Sequence, residues 1–191
     1  AFLGWSPKSA DREILSLEEI SEIFDLSEIN KAGAKFSWEK LNWINAQYIK
    51  NMESIKLMEI LRKYWDDHGW EPPSQEWANK LAILIRDSMT LLKDSIDQSK
   101  PFFLIPTIQK EGQDFLENPE SKLSLKLILN YLIEQNTIKL NKEKAKEIIN
   151  EISKKHNIKK GILMKSLRVA FFGSLSGPDL IQSWELFAES K

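Results

Sequence analysis

A turn near the carboxyl end of the chain brings a cation close to peptide groups at the predicted start of a helix. Arg168 precedes the segment Gly173-Ser174-Leu175-Ser176-Gly177-Pro178-Asp179-Leu180. Ser176 and Asp179 have the spacing of a capping box, and Pro178 suits the first turn of a helix because its missing N–H costs little there. Open amides at a helix start together with an Arg can hold single-stranded nucleotides. Taken alone, Ser-Gly-Pro-Asp more often marks an ordinary connection between helices.

A second candidate is an aromatic residue on the polar face of the helix predicted for residues 38–50. At about 100° per residue, one side of the wheel carries the residues Trp38, Leu41, Asn45, Tyr48 and Ile49. Trp43 falls on the opposite side, beside Lys40, Gln47 and Lys50. An indole among amines can stack on a base or a ribose while the amines meet phosphates. Docking of Trp43 against a neighbouring domain is the alternative, which the wheel alone favours.

Positive charge is concentrated in one stretch of a chain whose net charge is −1. Residues 139–168 hold 10 basic and 3 acidic residues, whereas residues 1–100 hold 13 basic and 17 acidic residues. Such a stripe is a candidate contact surface for a phosphate backbone. A solvated helix face explains the same charges equally well.

Other kinds of chemistry find little support in the residue types. The sequence has no Cys, which excludes disulfides and thiolate metal sites, and only two His. The acidic pair Asp66-Asp67 adjoins the turn at His68-Gly69 and indicates a helix end rather than a metal site. No glycine-rich phosphate loop and no nucleophile–base set is present, so we predict no catalytic and no metal-binding residues. No apolar run approaches the ~20 residues that a membrane-spanning helix needs.

The elements that must position these residues are predicted to be helices. Ser16 and Glu19 form a capping box, and Ser37, Ser74 and Asn141 each precede a helical pattern. Apolar residues recur at helical spacing after each cap, and no segment alternates with the period of a strand. The sequence therefore predicts an all-α fold, with an amino-terminal segment followed by two small helical bundles.

Helix-breaking and turn residues divide the chain into three predicted units, 1–53, 54–100 and 101–191. Lys100-Pro101 ends the second pattern, and a loop is expected through Pro106, Gly112 and Pro119. The apolar start, Ala1-Phe2-Leu3-Gly4-Trp5, suggests a cut through a longer protein.

The sequences of these segments, and their order along the chain, resemble those of bacterial glutamyl-tRNA synthetases over nearly all 191 residues. The block Leu3-Gly4-Trp5-Ser6-Pro7 with Arg12-Glu13-Ile14 is similar to the segment that follows the family's catalytic core. Phe24–Asn30 and Phe36–Asn45 resemble its stem-contact helix region. Leu167–Pro178 resembles its anticodon-reading turn. The middle, residues 54–160, is similar mainly in its helix pattern.

The resemblance implies a layout for the whole enzyme. A Rossmann-type domain that binds ATP and glutamate, with Mg²⁺, would lie upstream of Ala1, so this fragment would carry no catalytic site and no cofactor. The parent would be an enzyme, a glutamate–tRNA ligase that attaches glutamate to tRNA using ATP. Trp43 and Lys40 match residues near the inside of the tRNA elbow. Two helical bundles would then reach the anticodon.

The resemblance also implies five anticodon contacts. Arg168 matches an Arg that contacts the first anticodon base, and Pro178 and Leu180 match residues around the middle base. Gly177 stands where some members have Thr, which removes a side-chain hydrogen bond. Ser88 aligns where members that discriminate between tRNAs carry an Arg against the third base, so we expect a non-discriminating enzyme.

The partners that follow are glutamate tRNA and glutamine tRNA, with no DNA and no membrane, for a monomer in the cytoplasm. A different class of function remains open, an all-α protein–protein interaction module without RNA affinity. A third, an independent helical enzyme, is the least supported, because no catalytic constellation is present.

Overall fold

The fold is a succession of short helices. The computed structural model describes residues 4–5, 13–29, 35–134 and 140–189. Within these ranges, the only extended pairing is a single bridge between Trp5 and Ile29. The α-helices of the described residues are α1 (Leu17–Ile23), α2 (Trp38–Lys50), α3 (Ser54–Asp67), α4 (Gln75–Arg86), α5 (Ser95–Phe103), α6 (Lys110–Glu117), α7 (Pro119–Glu134), α8 (Lys142–His156), α9 (Lys160–Phe172) and α10 (Leu180–Glu189). Two 3₁₀ helices span Leu26–Glu28 and Leu92–Asp94. The prediction of an all-α fold is confirmed.

The amino-terminal segment begins its first helix at the predicted capping box. The amide of Glu19 donates to Ser16 Oγ at 3.1 Å, and the amide of Ser16 donates to Glu19 Oε2 at 2.7 Å. Several residues named above lie outside the described residues, namely Ala1, Phe2, Leu3, Ser6, Pro7, Arg12 and Asn30 in this segment and Lys139 in the basic stripe.

Three further helices begin at the polar residues that the sequence indicates. The side-chain oxygens of Ser37, Ser74 and Asn141 accept bonds of 3.1, 3.1 and 2.8 Å from amides three residues later. Each bond satisfies one of the amides that the first helical turn leaves without a partner. The predicted starts of α2, α4 and α8 are therefore confirmed.

The predicted break and loop after residue 100 are wrong in three places. Pro101 lies inside α5, which continues to Phe103. Gly112 is a buried residue of α6, and Pro119 is the first residue of α7, where a proline needs no N–H partner. Packing stabilises the helical residues after Pro101, because the Phe103 ring stacks on that of Trp70 with centroids 5.2 Å apart.

One hydrophobic core runs along most of the chain. It includes residues of α3 and α4 as well as residues of α7 to α10. Phe102 of α5 stacks on Phe187 of α10 with centroids 4.7 Å apart, so the contact crosses the predicted boundary at residue 100. The division into 54–100 and 101–191 stays a prediction. For the site, the important packing is that of α4 against α10 and of α7 against α9.

Candidate nucleic-acid interface

The turn that follows α9 has a backbone that only glycine fits at its first position. Gly173 adopts the left-handed conformation with φ 69°. A Cβ atom there would collide with the carbonyl oxygen of Thr107. The Gly173 carbonyl oxygen also accepts a hydrogen bond of 2.7 Å from the amide of Gln109. The turn therefore begins in direct backbone contact with the segment before α6.

A second glycine shapes the end of the turn. Gly177 has φ 151°, and a Cβ atom there would approach the Phe172 ring to 2.8 Å. Phe172 is 8% exposed and belongs to the core, so its ring cannot easily give way. A Thr at this position, as the resemblance suggests for other members, would require this turn to change shape.

Arg168 reaches from α9 across the turn. Its Nη1 donates to the carbonyl oxygens of Gly177 at 3.0 Å and Pro178 at 2.9 Å. The structure thus brings together three of the predicted anticodon residues. The two bonds engage Nη1 alone, which leaves Nε and Nη2 of the planar guanidinium for another acceptor.

A carboxylate from α6 holds the other end of the turn. Glu111 Oε1 accepts hydrogen bonds from the Ser174 hydroxyl at 2.7 Å and from the Leu175 amide at 3.2 Å. These bonds favour the charged form, and the Ser174 hydroxyl is the main cause that lowers the pKa of Glu111, followed by the Leu175 amide. Glu111 is not among the predicted site residues, because nothing local in the sequence signals a contact across 63 residues.

Three details of the predicted turn are wrong. The helix after it begins at Leu180, and its cap is Asp179, whose Oδ1 accepts from the Gln182 amide at 2.8 Å. Pro178 therefore precedes the helix rather than lying in its first turn, and Ser176 is not the cap. The amides expected to be open are also partly occupied, because the Ser176 amide donates to Ser174 Oγ at 3.2 Å.

Ser88 lies across a cleft from the turn. The cleft, of about 450 Å³, is lined at the end of α4 and the start of α10 by Ile83, Leu84, Arg86, Asp87, Ser88, Pro178, Asp179 and Gln182. Ser88 is exposed, and its Oγ donates to the Ile85 carbonyl oxygen at 2.6 Å. The Nε of Arg86 is buried without a hydrogen-bond partner, 4.0 Å from Asp87 Oδ1. Two predicted anticodon residues, 90 positions apart in the sequence, thus face one space.

Leu180 differs from the other predicted contacts. Its side chain is 1% exposed and belongs to the core. Only the backbone of Leu180 could therefore make the predicted contact with a nucleotide.

Lys40 and Trp43 lie on α2 and do not line the cleft between Ser88 and Pro178. Trp43 is 45% exposed. Lys40 Nζ pairs with Glu13 Oε1 at 3.1 Å, and both side chains are about half exposed. The two residues form a separate part of the surface.

The opposite face of α2 is less covered than the helical wheel suggests. Ile49 is buried, whereas Trp38 and Leu41 are 70% and 43% exposed. Two side-chain hydrogen bonds connect α2 to other segments. The Tyr48 hydroxyl donates to the Leu15 carbonyl, and the Asn45 amide donates to the Thr90 carbonyl. The second bond joins α2 to the loop that carries Ser88.

The basic stripe lies mainly on the outer surface of α8 and at the start of α9. Its lysines are exposed or half-buried, at positions 142, 144, 146, 154, 155, 159, 160 and 165. Lys144 pairs with Glu147 at 3.0 Å. This exposure agrees with a solvated face and equally with a surface that meets phosphates.

The described ranges contain neither a metal-binding cluster nor a membrane-spanning helix. Among residues 4–5, 13–29, 35–134 and 140–189, no group of three or more His, Cys, Asp and Glu side chains is placed to hold a metal ion. In the same ranges, every helix is too short or too polar to cross a bilayer.

Comparison with known proteins gives a consistent family. The sequence model of the family described as "Anticodon binding domain" matches residues 56–190, which include α3 to α10 except for the first residues of α3. A glutamate–tRNA ligase of Prochlorococcus marinus (strain AS9601) is 95% identical over 191 residues, which are 100% of this chain and 40% of that protein. One from strain NATL2A is 45% identical over 186 residues, 97% of this chain and 39% of that protein.

Solved structures agree with the sequence relatives. The crystal structure of a glutamate tRNA ligase from Elizabethkingia meningosepticum CCUG26117, in complex with its amino acid, matches with a TM-score of 0.85 and 31% identity. The match covers 98% of this chain and 37% of that one. The chain thus spans about two fifths of the length of the proteins it resembles, at their C-terminal end. It belongs to the anticodon binding domain family, in the form that glutamate–tRNA ligases carry in their C-terminal part.

Proposed function

We propose that this chain binds the anticodon of glutamate tRNA for a glutamate–tRNA ligase. The observation that carries the proposal is the cleft between Ser88 and Pro178, with Arg168 bonded to the backbone on the Pro178 side. Single-stranded anticodon bases are splayed out and read at their edges, and such reading needs polar groups held at the rim of a concave surface. Ser88, Arg168, Gly177 and Pro178, with the backbone of Leu180, are the groups proposed to do this.

The donors of Arg168 suit a base edge. A guanidinium presents a planar fork of N–H groups, and the two carbonyls of the turn fix its orientation before RNA arrives. A group held in place in advance loses less conformational entropy on binding. Nε and Nη2 are then free to meet the acceptors of the first anticodon base.

A second contact surface is proposed on α2. Trp43 would stack near the inside of the tRNA elbow, and Lys40 would meet the backbone beside it. The ion pair of Lys40 with Glu13 is exposed, and exposed pairs contribute little, so exchange for a phosphate costs little.

The remaining features of the enzyme are proposed from the relatives. ATP and Mg²⁺ would act in the part of those proteins that this chain does not match, where glutamate is activated and transferred to tRNA. We further propose a monomer in the cytoplasm. Ser88 supports a non-discriminating enzyme that also charges glutamine tRNA. Its oxygen can accept a hydrogen bond from the third anticodon base, and its hydroxyl can donate to that base if it leaves the Ile85 carbonyl.

Titration of labelled RNA against the 191-residue chain tests the proposal. Glutamate tRNA and the same tRNA with a substituted anticodon are compared at two salt concentrations. We expect both affinities to fall with salt, because phosphate contacts release counterions, and a preference for the natural anticodon to persist. If the two tRNAs bind with equal affinity at each salt concentration, the chain binds only the phosphate backbone. If the chain binds neither tRNA, the result would favour the protein–protein interaction module. The family match gives no support to that alternative.

A further inference from the structure

We propose that Glu111 is a positioning residue for anticodon recognition, which acts by holding the turn that carries Gly177 and Pro178. The proposal rests on the proposed function and goes beyond it, because Glu111 lies on α6 and does not line the cleft. Its carboxylate binds the hydroxyl of Ser174 and the amide of Leu175, in the first half of the turn.

The bonds form a short chain that reaches into the turn. Ser174 Oγ contacts Ser176 Oγ at 3.0 Å and accepts from the Ser176 amide at 3.2 Å. One carboxylate oxygen thus orients Ser174, which in turn orients Ser176. Hydrogen bonds to an ionised acceptor are stronger than those between neutral groups. The bonds to Glu111 are therefore the strongest of this hydrogen-bond series.

The place of Glu111 relative to the turn is fixed by its neighbours. The Gln109 amide donates to the Gly173 carbonyl oxygen, and a Cβ atom on Gly112 would approach that same oxygen to 2.9 Å. Only glycine at position 112 therefore permits α6 to lie this close to the turn. Glu111 lies between these two residues, so its backbone is held close to Ser174 and its side chain reaches the turn.

Two residues of opposite charge hold the two ends of the turn. Glu111 binds groups at positions 174 and 175, and Arg168 binds the carbonyl oxygens at positions 177 and 178. Between them the main chain has few remaining degrees of freedom. The turn is thereby pre-organised in the shape that places Pro178 at the cleft, and pre-organisation raises affinity by lowering the entropic cost of binding.

The charge of Glu111 makes the proposal separable from general electrostatics. A carboxylate beside an RNA-binding surface repels phosphates, so its removal should raise the affinity for any RNA. Removal of its hydrogen bonds should instead lower the preference for the correct anticodon. The two effects have opposite signs, and a Gln at this position removes the charge while its amide oxygen can still accept both bonds.

The experiment compares Glu111→Ala, Glu111→Gln and the matched controls Glu117→Ala and Glu117→Gln, which change the same residue type on an exposed position of the same helix. The affinities for glutamate tRNA and for an anticodon-substituted tRNA are measured with the full 191-residue chain. We expect Glu111→Ala to reduce the ratio of the two affinities about tenfold, the size of one lost charge-assisted bond. Glu111→Gln should retain most of the ratio, and both Glu117 variants should leave it unchanged.

A measurement without RNA tests whether Glu111 holds the turn, separately from anticodon recognition. Hydrogen exchange at the Leu175 amide should accelerate in Glu111→Ala and remain slow in Glu111→Gln, while amides of the α7–α9 core stay protected in both. If the wild-type chain shows no anticodon preference, the proposed function fails and the positioning role fails with it, whereas the exchange rates still decide whether Glu111 holds the turn.

Two outcomes would overturn the proposal while the proposed function stands. In the first, Glu111→Ala and Glu111→Gln change the affinities for both RNAs alike and leave their ratio intact, which makes Glu111 an electrostatic residue only. In the second, Leu175 exchange is the same in wild type and Glu111→Ala, so the carboxylate does not hold the turn.

Discussion

The indole nitrogen of Trp77 donates a hydrogen bond to the carbonyl oxygen of Leu186 at 2.9 Å, which joins α4 to α10. Leu186 lies in the last turn of α10, where carbonyl groups have no partner within the helix. Ser88 comes just after α4 and Pro178 just before α10. The packing of these two helices therefore sets the width of the cleft between the two residues.

Replacing Trp77 with Phe should destabilise the protein. The change removes the donor and leaves a buried carbonyl without a partner, which costs about 1–3 kcal/mol of unfolding free energy, in addition to the lost packing. For a chain of this length Tm should fall by roughly 2–4 °C per kcal/mol, measured by calorimetry or circular dichroism. Because α4 and α10 lose a direct link, the affinity for glutamate tRNA should also fall.

Trp65→Phe is the matched control. The Trp65 indole donates to Ser99 Oγ at 2.9 Å, which joins α3 to α5 and not to α10. We expect a similar loss of stability with little change in RNA affinity at temperatures where the protein is folded. Equal losses of affinity in both variants would show that stability, and not the α4–α10 link, governs binding.

Arg168→Ala should weaken anticodon-dependent binding more than removal of a lysine from the basic stripe. Arg168 holds the turn and presents donors to a base, whereas the exposed Lys142 acts as a loosely held charge. A lost base contact costs on the order of 1–3 kcal/mol, a figure from DNA readout. The Lys142→Ala variant should mainly flatten the salt dependence of binding.

Arg62→Ala serves as a further control, because Arg62 is an exposed Arg on α3. If the three variants lose affinity equally for natural and substituted anticodons, Arg168 is only one part of a general basic surface.

The Glu111 contact should resist acid better than an ordinary glutamate would. Its pKa is lowered chiefly by the Ser174 hydroxyl, so the charged form persists below the usual value of about 4.3. The stabilisation is present at higher pH and is lost as the pH falls through the lowered pKa. We expect the protection of the Leu175 amide to persist as the pH falls to the ordinary pKa of a glutamate, and to be lost only below it. Loss of protection at or above that ordinary value would contradict the direction of the shift.

Trp43→Ala should impair charging of tRNA by the full-length enzyme while the fold remains intact. Trp43 is 45% exposed, so the loss of buried area is modest. Trp38→Ala is the control on the same helix, because Trp38 is 70% exposed and packs against Phe36 edge to face. A large drop in Tm for Trp43→Ala, with normal charging once folded, would support domain packing instead of RNA stacking.

The helix starts could be predicted because their signals are local. Ser16, Ser37, Ser74 and Asn141 each bond an amide three residues later, and that spacing is visible in the sequence. Gly112 gave a false signal for a loop. Its small size serves a contact with Gly173 that arises only in the folded chain, so no local pattern could explain it.

The candidate site was predictable to a similar extent. Arg168, Gly177 and Pro178 lie within eleven residues and share one motif, so their proximity follows from the sequence. The proximity of Ser88 to Pro178 depends on the packing of α4 against α10, and came only from the resemblance. The wheel of α2 predicts which side is apolar but not whether another element covers it, which is why the exposure of Trp38 was not foreseen.

Ser88→Arg should convert a non-discriminating enzyme into one that rejects glutamine tRNA. Glutamate and glutamine anticodons differ at the third base, which is C in one and G in the other. An Arg offers only donors, which suit the acceptors on the pairing edge of C. The pairing edge of G presents two donor groups beside a single acceptor, so an Arg facing it meets repulsion and is incompletely paired, and the wrong tRNA is excluded by that penalty. We expect the Ser88 hydroxyl to tolerate both bases.

Charging assays of the full-length enzyme on both tRNAs give the direct measurement. Wild type should charge both tRNAs, and Ser88→Arg should charge glutamine tRNA at least tenfold less well, which corresponds to about 1.4 kcal/mol. Arg86 lines the same cleft, and its buried Nε has no hydrogen-bond partner, so it is the residue that would restore discrimination in wild type. Arg86→Ala separates the two cases. If wild type rejects glutamine tRNA as strongly as Ser88→Arg does, and Arg86→Ala abolishes the rejection, the third base is read by Arg86 and the non-discriminating proposal is wrong.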